Sequence, residues 1–365
     1  MPKIYFIVFI VIALSIYGGM HWFIYQRVAN GLSLTAGPRL ALKIFMLAAA
    51  LSFILAESLS RSRLFGSLRL FGSLWLGIVA ISLAFFALEA VASLLFPGSR
   101  RWLVIAALLI ISLVSGFSIY NGQRHPRVRE IAVPIPGLRP ECNGFSIVHL
   151  SDLHLGNLTP LKRLQWIVER VNGLAPDLIC ITGDVLDRDI GQSGEYCRLL
   201  MGLKARHGVV AVTGNHEFYA GIDLFSELAR KCGWRILRNQ AWNIDGKLCI
   251  IGLDDDAGKS FAFAGPDLDE ALRTAATDVP KILLYHRPDR FARAAQAGIV
   301  LQLSGHTHAG QIPPMDFLVW LIYKYPAGLY RLGRAHIYTS AGTSTWGPPM
   351  RFLSRSEIVK LTLVP

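Results

Sequence analysis

The sequence predicts an α/β domain that follows a bundle of about four transmembrane helices. Three observations predict this. Long apolar segments fill the first third of the chain, and short apolar runs alternate with amphipathic segments over residues 141–365. Such alternation is typical of a parallel βαβ core. Polar residues directly follow several of the apolar runs, which indicates a functional site at one edge of a sheet. We therefore divide the chain into a transmembrane region (1–120), a linker (121–140) and an α/β domain (141–365).

Four segments of the transmembrane region are long and apolar enough to cross a bilayer, which takes about 20 residues. They are 4–25, 40–59, 70–96 and 102–120. For the first segment a cleaved signal peptide is the alternative, but its apolar run is longer than a signal peptide needs and no small-residue cleavage site follows. Aromatic residues near the segment ends, such as Trp22 and Trp102, suit the membrane interface. The pattern predicts a multi-pass integral membrane protein.

Basic charge is concentrated in the same region. Residues 1–129 hold twelve Lys and Arg and two acids, and so carry +10 of the formal net charge of +12. Because this excess lies between apolar segments, it indicates membrane flanks, and we expect no nucleic-acid partner. With four spans, both ends of the region lie on one side, and the loop charges favour a cytoplasmic location for the α/β domain. Glu89 lies inside a span, where we expect it to pair helices or sit at the interface.

The α/β domain begins after a linker rich in Arg, Pro and Gly. Its first predicted strands are 145–150, 177–182 and 209–213, with helices at 160–174 and 195–206 between them. Strand-like runs then dominate, interrupted by a helix at about 267–276. These runs are 234–237, 248–253, 282–285, 299–303, 336–339 and 358–363. Five cysteines without a close CxxC pair argue against a disulfide framework and against a zinc ribbon.

Five polar strings follow the predicted strands. They are Asp152-Leu153-His154, Gly183-Asp184, Gly214-Asn215-His216-Glu217, the single His286, and Gly305-His306-Thr307-His308. Carboxylate, imidazole and amide groups bind divalent Mn, Fe or Zn. Two such ions can activate a water and stabilise the displacement at a phosphoester. A histidine such as His286 is more often structural when it stands alone, but beside the other strings we interpret it as a metal ligand.

The order of these strings resembles the calcineurin-like metallophosphoesterase superfamily over residues 145–363. Residues 310–312 and 342–351 resemble the branch of that superfamily with an N-terminal membrane anchor. The resemblance implies a four-layer α/β/β/α sandwich and two divalent metal ions. It implies a first metal on Asp152, His154 and His308, a bridging Asp184, and a second metal on Asn215, His286 and His306.

The resemblance also implies a role for His216 near the leaving-group oxygen, as general acid or as an electrostatic donor in the transition state. Asp187 matches an acid that orients this histidine in some branches. Glu217 could help to position His216 or cap the helix that follows, and we favour the cap. Residues 254–256 are three aspartates, which we interpret as a polar loop at a strand end rather than a further metal cluster.

The substrate is suggested by an apolar segment at 315–326, close in sequence to His306 and His308. This segment could be a flap packed on the domain's own core, or it could face the bilayer and receive acyl chains. Together with the spans, it leads us to expect a membrane-anchored phosphoesterase that contacts membrane lipids and hydrolyses a lipid or lipid-linked phosphoester. The alternatives are a soluble substrate (a cyclic nucleotide, a nucleotide diphosphate ester or a phosphoprotein) and a non-catalytic membrane sensor. Nuclease action is disfavoured because the α/β domain lacks a basic stripe.

Overall fold

A computed structural model describes residues 3–58, 66–156, 158–187 and 193–365. The chain divides into two compact units. The first, the helical unit, consists of Met1–Gln123 and two short later segments, Ile312–Met315 and Gly347–Leu353. The second, the two-sheet unit, contains the rest of the chain and includes all five polar strings.

Four long helices form most of the helical unit. They are α1 (Lys3–Gly31), α2 (Ala36–Ser58), α3 (Gly66–Leu95) and α4 (Arg100–Gln123). Within the described residues, three candidate membrane spans are found, at Ala36–Leu55, Gly66–Leu95 and Pro97–Gln123, rather than the four that the sequence predicts. The first predicted span, 4–25, lies within α1, which is not among these candidates and which continues beyond that span through the polar residues Gln26, Arg27 and Asn30. The cytoplasmic location, which rests on four spans, stays a prediction.

An ion pair connects α1 to α3. Arg27 donates from Nε and from one terminal nitrogen to the two oxygens of Glu89, each at 2.7 Å. Ser93 donates to the same carboxylate at 2.6 Å. The Glu89 side chain is only 2% exposed, so the pair is buried between helices. This geometry matches the helix-pairing role predicted for Glu89.

The two short segments of the helical unit pack on α3 and α4. Met350 is fully buried and lies beside Gly77, where a side chain larger than hydrogen would collide with its sulfur. The backbone N–H of Arg351 donates to the Ser118 carbonyl at 2.8 Å, and the Asn121 side chain donates to the Arg351 carbonyl at 3.0 Å. Ile312 belongs to the same apolar core as the buried residues of α3 and α4. The helical unit is therefore completed by residues from the second half of the chain.

Two six-stranded sheets form the core of the other unit. In chain order the strands are β1 (Arg127–Pro134), β2 (Ser146–Leu150), β3 (Leu178–Thr182), β4 (Val209–Val212), β5 (Arg235–Ile236), β6 (Gln240–Ile244), β7 (Leu248–Gly252), β8 (Lys281–Leu284), β9 (Ile299–Ser304), β10 (Gly328–Leu332), β11 (Ala335–Thr339) and β12 (Glu357–Val364). Sheet 1 has the order β1-β12-β2-β3-β4-β5, and sheet 2 has the order β10-β11-β9-β8-β7-β6. The strands β2 to β5 are parallel, as are β7, β8, β9 and β11.

Helices cover the outer faces of both sheets. They are α5 (Leu161–Gly173), α6 (Ser193–Leu200), α7 (Asn215–Ala220), α8 (Ile222–Lys231), α9 (Leu268–Leu272) and α10 (Phe291–Gln296). A further helix, α11 (Met315–Ile322), is largely exposed. Side chains alternate along each strand. In β3, Ile179 and Ile181 pack with the helix layer of sheet 1, whereas Leu178 and Cys180 face sheet 2. In β7 the outward Ile251 packs with residues of α9 and α10. These layers confirm the expected four-layer sandwich.

Three strands are absent from the sequence interpretation, and all three are edge strands. β1 lies in the predicted linker, where it pairs in parallel with β12 over eight residues. β10 and β6 form the two edges of sheet 2. Edge strands carry charges and proline to resist further pairing, and β1 accordingly contains Arg127, Arg129 and Pro134. Such strands lack the continuous apolar run by which the central strands are recognised.

Candidate metal centre

The five polar strings lie at the carboxyl ends of five central strands. Asp152 and His154 follow β2, Asp184 follows β3, and Asn215 follows β4. From sheet 2, His286 follows β8, and the Gly305 string follows β9. Because these strands are parallel within each sheet, their loops meet at one edge of the sandwich.

Asp152, His154 and His308 form the first cluster of side chains able to hold a metal ion. The Nε2 atoms of His154 and His308 are 3.0 Å apart. The Nε2 of His308 is 3.3 Å from the Asp152 carboxylate. All three side chains are at most 8% exposed. This is the set that the resemblance implies for the first metal.

Asp184, His286 and His306 form a second such cluster. The Nε2 of His286 lies 3.2 Å from Asp184 Oδ2 and 3.1 Å from the Nδ1 of His306. Asp184 also belongs to a cluster with His154 and His216, and its Oδ2 lies 3.8 Å from His154 Nε2. Asp184 is therefore placed between the two groups, where a bridging carboxylate has to be.

Asn215 provides a test of whether these residues fit a metal. Its Oδ1 is buried and has no hydrogen-bond partner among the described residues. A buried amide oxygen without a partner is costly and calls for an explanation. Asn215 begins α7 beside Asp184, whose Oδ1 accepts a hydrogen bond from the next backbone N–H, that of His216. The oxygen-and-nitrogen donor set around it suits a hard or borderline divalent cation.

Asp187 connects His154 to His216. Its Oδ1 accepts hydrogen bonds from the Nδ1 of His154 at 2.9 Å and from the Nδ1 of His216 at 3.0 Å. A proton on each Nδ1 leaves the Nε2 atoms of His154 and His216 free to bind a metal ion or to take part in proton transfer. The position of Asp187 is that of an orienting carboxylate.

Backbone strain marks the same residues. Asp152, His154, Asp184, His306 and His308 all have positive φ, between 43° and 71°. Residues other than glycine rarely adopt this conformation, and it persists where the surroundings impose it, commonly at functional sites. Glycine makes a further close approach possible, since a Cβ on Gly305 would collide with Ser151 and with the Asp152 carboxylate. The backbone conformation at this edge therefore brings the candidate ligands together.

Glu217 supports the loops that carry the ligands. It is fully buried, and its oxygens accept hydrogen bonds from four backbone N–H groups. The donors are Asp184 at 2.8 Å, Gly214 at 2.7 Å, Val185 at 2.8 Å and Leu186 at 3.3 Å. The bond from Gly214 is the predicted helix cap, but the other three fix the loop of Asp184. Burial and the nearby Asp184 charge raise the pKa of Glu217, and the backbone donors oppose that rise.

Thr182, at the end of β3, orients two histidines. Its carbonyl accepts a hydrogen bond from the Nδ1 of His286 at 2.7 Å, which directs the other ring nitrogen toward Asp184. Its hydroxyl lies 2.7 Å from the Nε2 of His149. Burial lowers the pKa of His149 to about 3, so this histidine, which lies inside β2, is neutral.

Histidines and carboxylates lie side by side in the clusters and shift one another's pKa. Burial lowers the pKa of His286, but the Asp184 carboxylate outweighs burial and raises that pKa to about 10. At His154 burial is outweighed by the charges of Asp187, Asp184 and Asp152, and the pKa rises to about 9. Burial tends to raise the pKa of Asp184, yet the charge of His286 holds it well below its ordinary value. Bound cations can replace these histidine protons and balance the same carboxylates.

Aromatic side chains surround the clusters. The ring of His216 lies 5.5 Å from Tyr219 and 5.9 Å from Trp346, measured between centroids. On the other side, Tyr323 lies 6.0 Å from His306. Trp346 is held through its backbone, because the Gln311 side chain accepts from its N–H at 2.9 Å and donates to its carbonyl at 2.7 Å.

The apolar segment at 315–326 forms α11 and the turn after it. Most of its large apolar side chains are exposed, including Phe317 (68%), Trp320 (59%) and Leu321 (72%). Val319 and Tyr325 are buried. Helix α11 therefore presents an exposed apolar surface, in contrast to a flap packed on the core of the domain.

The structure brings all nine predicted site residues together at one edge of the sandwich. The sequence interpretation underestimated Glu217, whose place in the Gly-Asn-His-Glu string was the available signal. It also missed Thr182 and Gln311, since no spacing rule marks residues that position their neighbours.

Comparison with known proteins agrees with this geometry. A family model described as Calcineurin-like phosphoesterase matches residues 145–310. A zebrafish (Danio rerio) transmembrane protein with metallophosphoesterase domain is 36% identical, over 75% of this chain and 64% of its own length. A metallophosphoesterase of Helicobacter pylori is 38% identical, over 67% and 66% respectively. One from Aquifex aeolicus is 34% identical, over 61% of this chain and 87% of its own length. The chain thus spans just under two thirds of the first two relatives.

Proposed function

Because this chain belongs to the calcineurin-like metallophosphoesterase family, we propose that it is a membrane-anchored phosphoesterase with two divalent metal ions. Asp152, His154 and His308 would hold one ion, and Asn215, His286 and His306 the other. Asp184 would bridge them. The observation that carries the proposal is the convergence of these buried donors, with an unpartnered Asn215 oxygen among them.

Bound there, the two ions would supply an activated water and positive charge for the phosphoryl group. The chain's own residues orient the reacting groups and donate a proton. His216 is 13% exposed and has Nδ1 held by Asp187, so its Nε2 can present a proton to the leaving-group oxygen. The low pKa of Asp187, lowered by the charges of His154 and His216 against the effect of burial, keeps that carboxylate ionised. An ionised Asp187 keeps its oxygen available as the acceptor for the Nδ1–H of His216.

Metal-dependent hydrolysis by the full-length protein in detergent tests this proposal. Metal-stripped protein is resupplied with Mn²⁺ and given chromogenic phosphodiester and phosphomonoester substrates. We expect activity only with metal, and a loss of about 100-fold or more in Asp184→Asn and His216→Ala. His125→Gln changes an exposed histidine outside the clusters and should stay within about twofold. Full activity in Asp184→Asn contradicts the proposed chemistry, and a folded, metal-loaded protein without turnover favours the sensor.

For the substrate we propose a lipid or lipid-linked phosphoester. The exposed apolar side chains of α11 support this, because α11 begins only seven residues after His308. An exposed apolar surface of this kind is typical of contact with a membrane or an apolar ligand. A soluble phosphoester is the alternative, and in that case the helices serve as an anchor only.

Lipid phosphoesters in mixed micelles, compared with a soluble chromogenic diester, distinguish the two substrates. The variant Phe317→Ser/Trp320→Ser removes two exposed apolar side chains of α11. We expect it to lower lipid hydrolysis about tenfold and to leave hydrolysis of the soluble diester unchanged. Met201→Ser removes an exposed apolar side chain elsewhere and is the matched control. Cleavage of soluble esters alone, with every lipid ignored, rules out the lipid substrate and leaves the hydrolase intact.

A further inference from the structure

The three aspartates after β7 are each paired with a different arginine. The pairs are Arg238–Asp254, Arg287–Asp255 and Arg290–Asp256, at 2.8, 2.7 and 3.1 Å. Arginine paired with each carboxylate leaves little unbalanced negative charge for a cation. The triplet is therefore a polar loop at a strand end, as the sequence predicts, and its arginines need an explanation of their own.

Arg287 differs from the other two because it lies beside the metal centre. It directly follows His286, and one of its terminal nitrogens, Nη1, lies 3.2 Å from the Nε2 of His306. Its Nε and Nη2 bond to the fully buried Asp255 carboxylate at 2.7 and 3.1 Å. The side chain is 23% exposed, so the guanidinium is held firmly yet can be reached from solvent.

Arg287 keeps donor capacity on the side that faces the metal centre. A guanidinium has five N–H donors and no acceptor, and it stays charged at all ordinary pH values. The Nδ1 of His306 faces the second cluster, at 3.1 Å from His286. Within the described residues, Asp255 is the carboxylate paired with Arg287, and it bonds to the other nitrogens. The Nη1 group carries two N–H donors, and its printed contact is with one ring nitrogen of His306, so it can donate to a further acceptor.

We propose that this acceptor is the substrate, and that Arg287 is a phosphate-binding residue whose Nη1 donates to an anionic phosphate oxygen. The proposal rests on the phosphoesterase function proposed above. Asp255 holds the guanidinium in place through a two-point ion pair, the geometry in which arginine recognises anions most specifically. Asp255 is itself fixed, since its N–H donates to the Thr213 hydroxyl at 3.0 Å and its Oδ1 accepts from Ala257 at 2.8 Å. The arginine is thus oriented before the phosphate arrives.

The test measures binding of inorganic phosphate by calorimetry to full-length, metal-loaded protein in detergent, with steady-state kinetics alongside. Arg287→Met should weaken phosphate binding at least tenfold and raise KM more than it lowers kcat. Arg290→Met is the matched control, because Arg290 pairs with the next aspartate of the triplet and is similarly exposed. It should leave phosphate affinity within twofold of the wild type.

Arg287→Met leaves Asp255 buried without a partner and so can impair folding. The double variant Arg287→Met/Asp255→Asn removes both charges, and we expect it to fold, retain two metal ions by elemental analysis and show the same loss of phosphate affinity. Unchanged phosphate affinity in the double variant overturns the proposal, as does loss of metal in place of loss of phosphate. Phosphate binding is measured without turnover, so a failure of the proposed hydrolysis does not obscure this result.

Discussion

Glu217 is a fully buried carboxylate whose two oxygens accept hydrogen bonds from four backbone N–H groups. Three of these donors belong to the loop that begins with Asp184, so the side chain fixes the backbone of the proposed bridging residue. A carboxylate is suited to this position because it accepts on both oxygens and donates on neither. Glutamine has the same shape but replaces one oxygen with a donor.

Glu217→Gln should therefore place an amide NH₂ against backbone N–H groups. We expect a loss of about 1–3 kcal/mol in the free energy of unfolding and weaker metal binding. Urea unfolding and elemental analysis of the purified protein measure the two effects. Glu169→Gln, on the exposed face of α5, is the control and should change stability by less than about 0.5 kcal/mol. Equal stability of the two variants contradicts a supporting role for Glu217.

For individual residues, the sequence predicts the candidate metal ligands but not the residues that position those ligands. Metal chemistry restricts ligands to a few side-chain types, and their place after apolar runs is visible in the sequence. Glu217 and Gln311 act through contacts with distant backbone, and Thr182 acts through the distant side chain of His286. Arg287 acts through a carboxylate 32 positions away. Such contacts depend on tertiary structure, which the order of residues in one chain does not display.

Helices α1 and α3 are joined by the pair of Arg27 with Glu89. Each residue lies in a helix with few other charges, so either partner without the other leaves a poorly solvated charge. Removing one partner of a buried pair is usually far more costly than removing both. A single substitution should therefore weaken the contact between α1 and α3 more than a double substitution that removes both charges.

Glu89→Leu should destabilise the helical unit by about 3–5 kcal/mol, because Arg27 then lacks its partner. The double variant Arg27→Met/Glu89→Leu should recover most of that loss. Thermal unfolding in detergent, followed by circular dichroism, compares the two. If the double variant is as unstable as the single one, packing rather than charge explains the effect.

The elements of the two-sheet unit show where sequence patterns are reliable. The central strands were recognised because both faces of each strand are buried, as in β2, β3 and β7. The edge strands β1, β6 and β10 have an exposed face and edge, and their polar residues look like loop. The buried strands are therefore enough to predict the fold class from the sequence. They are not enough to predict the number of strands in each sheet.

For the whole molecule, bound metal should contribute to stability. Ligands that bind only the folded state stabilise it by about 4 kcal/mol at a thousandfold excess over Kd. When metal is removed, the buried carboxylates Asp152 and Asp184 have only the protons of neighbouring histidines to balance their charge. We expect a chelator to lower the Tm of the wild-type protein and to have little effect on Asp184→Asn. Differential scanning calorimetry with and without EDTA measures this, and an unchanged wild-type Tm contradicts it.

Removal of residues 1–123 should disturb the rest of the chain as well. Met350 and Ile312 then lose the helices against which they pack, and become exposed apolar side chains. We expect the truncated chain to be less soluble and less active on a soluble diester than the full-length protein. Adding Ile312→Ser and Met350→Ser to the truncated chain should restore solubility. A truncated chain with full activity and solubility contradicts this expectation.

Gln311 and Trp346 are joined by two hydrogen bonds, and each is the last residue before the chain enters the helical unit. The two segments that follow belong to the helical unit although they are encoded far from its helices. The helices and the two later segments therefore have to be inherited as one set. Gene fusion can attach a simple anchor to any domain with one junction, but a new set of helices here must also match Ile312–Met315 and Gly347–Leu353. The helices and these segments have to change together during evolution.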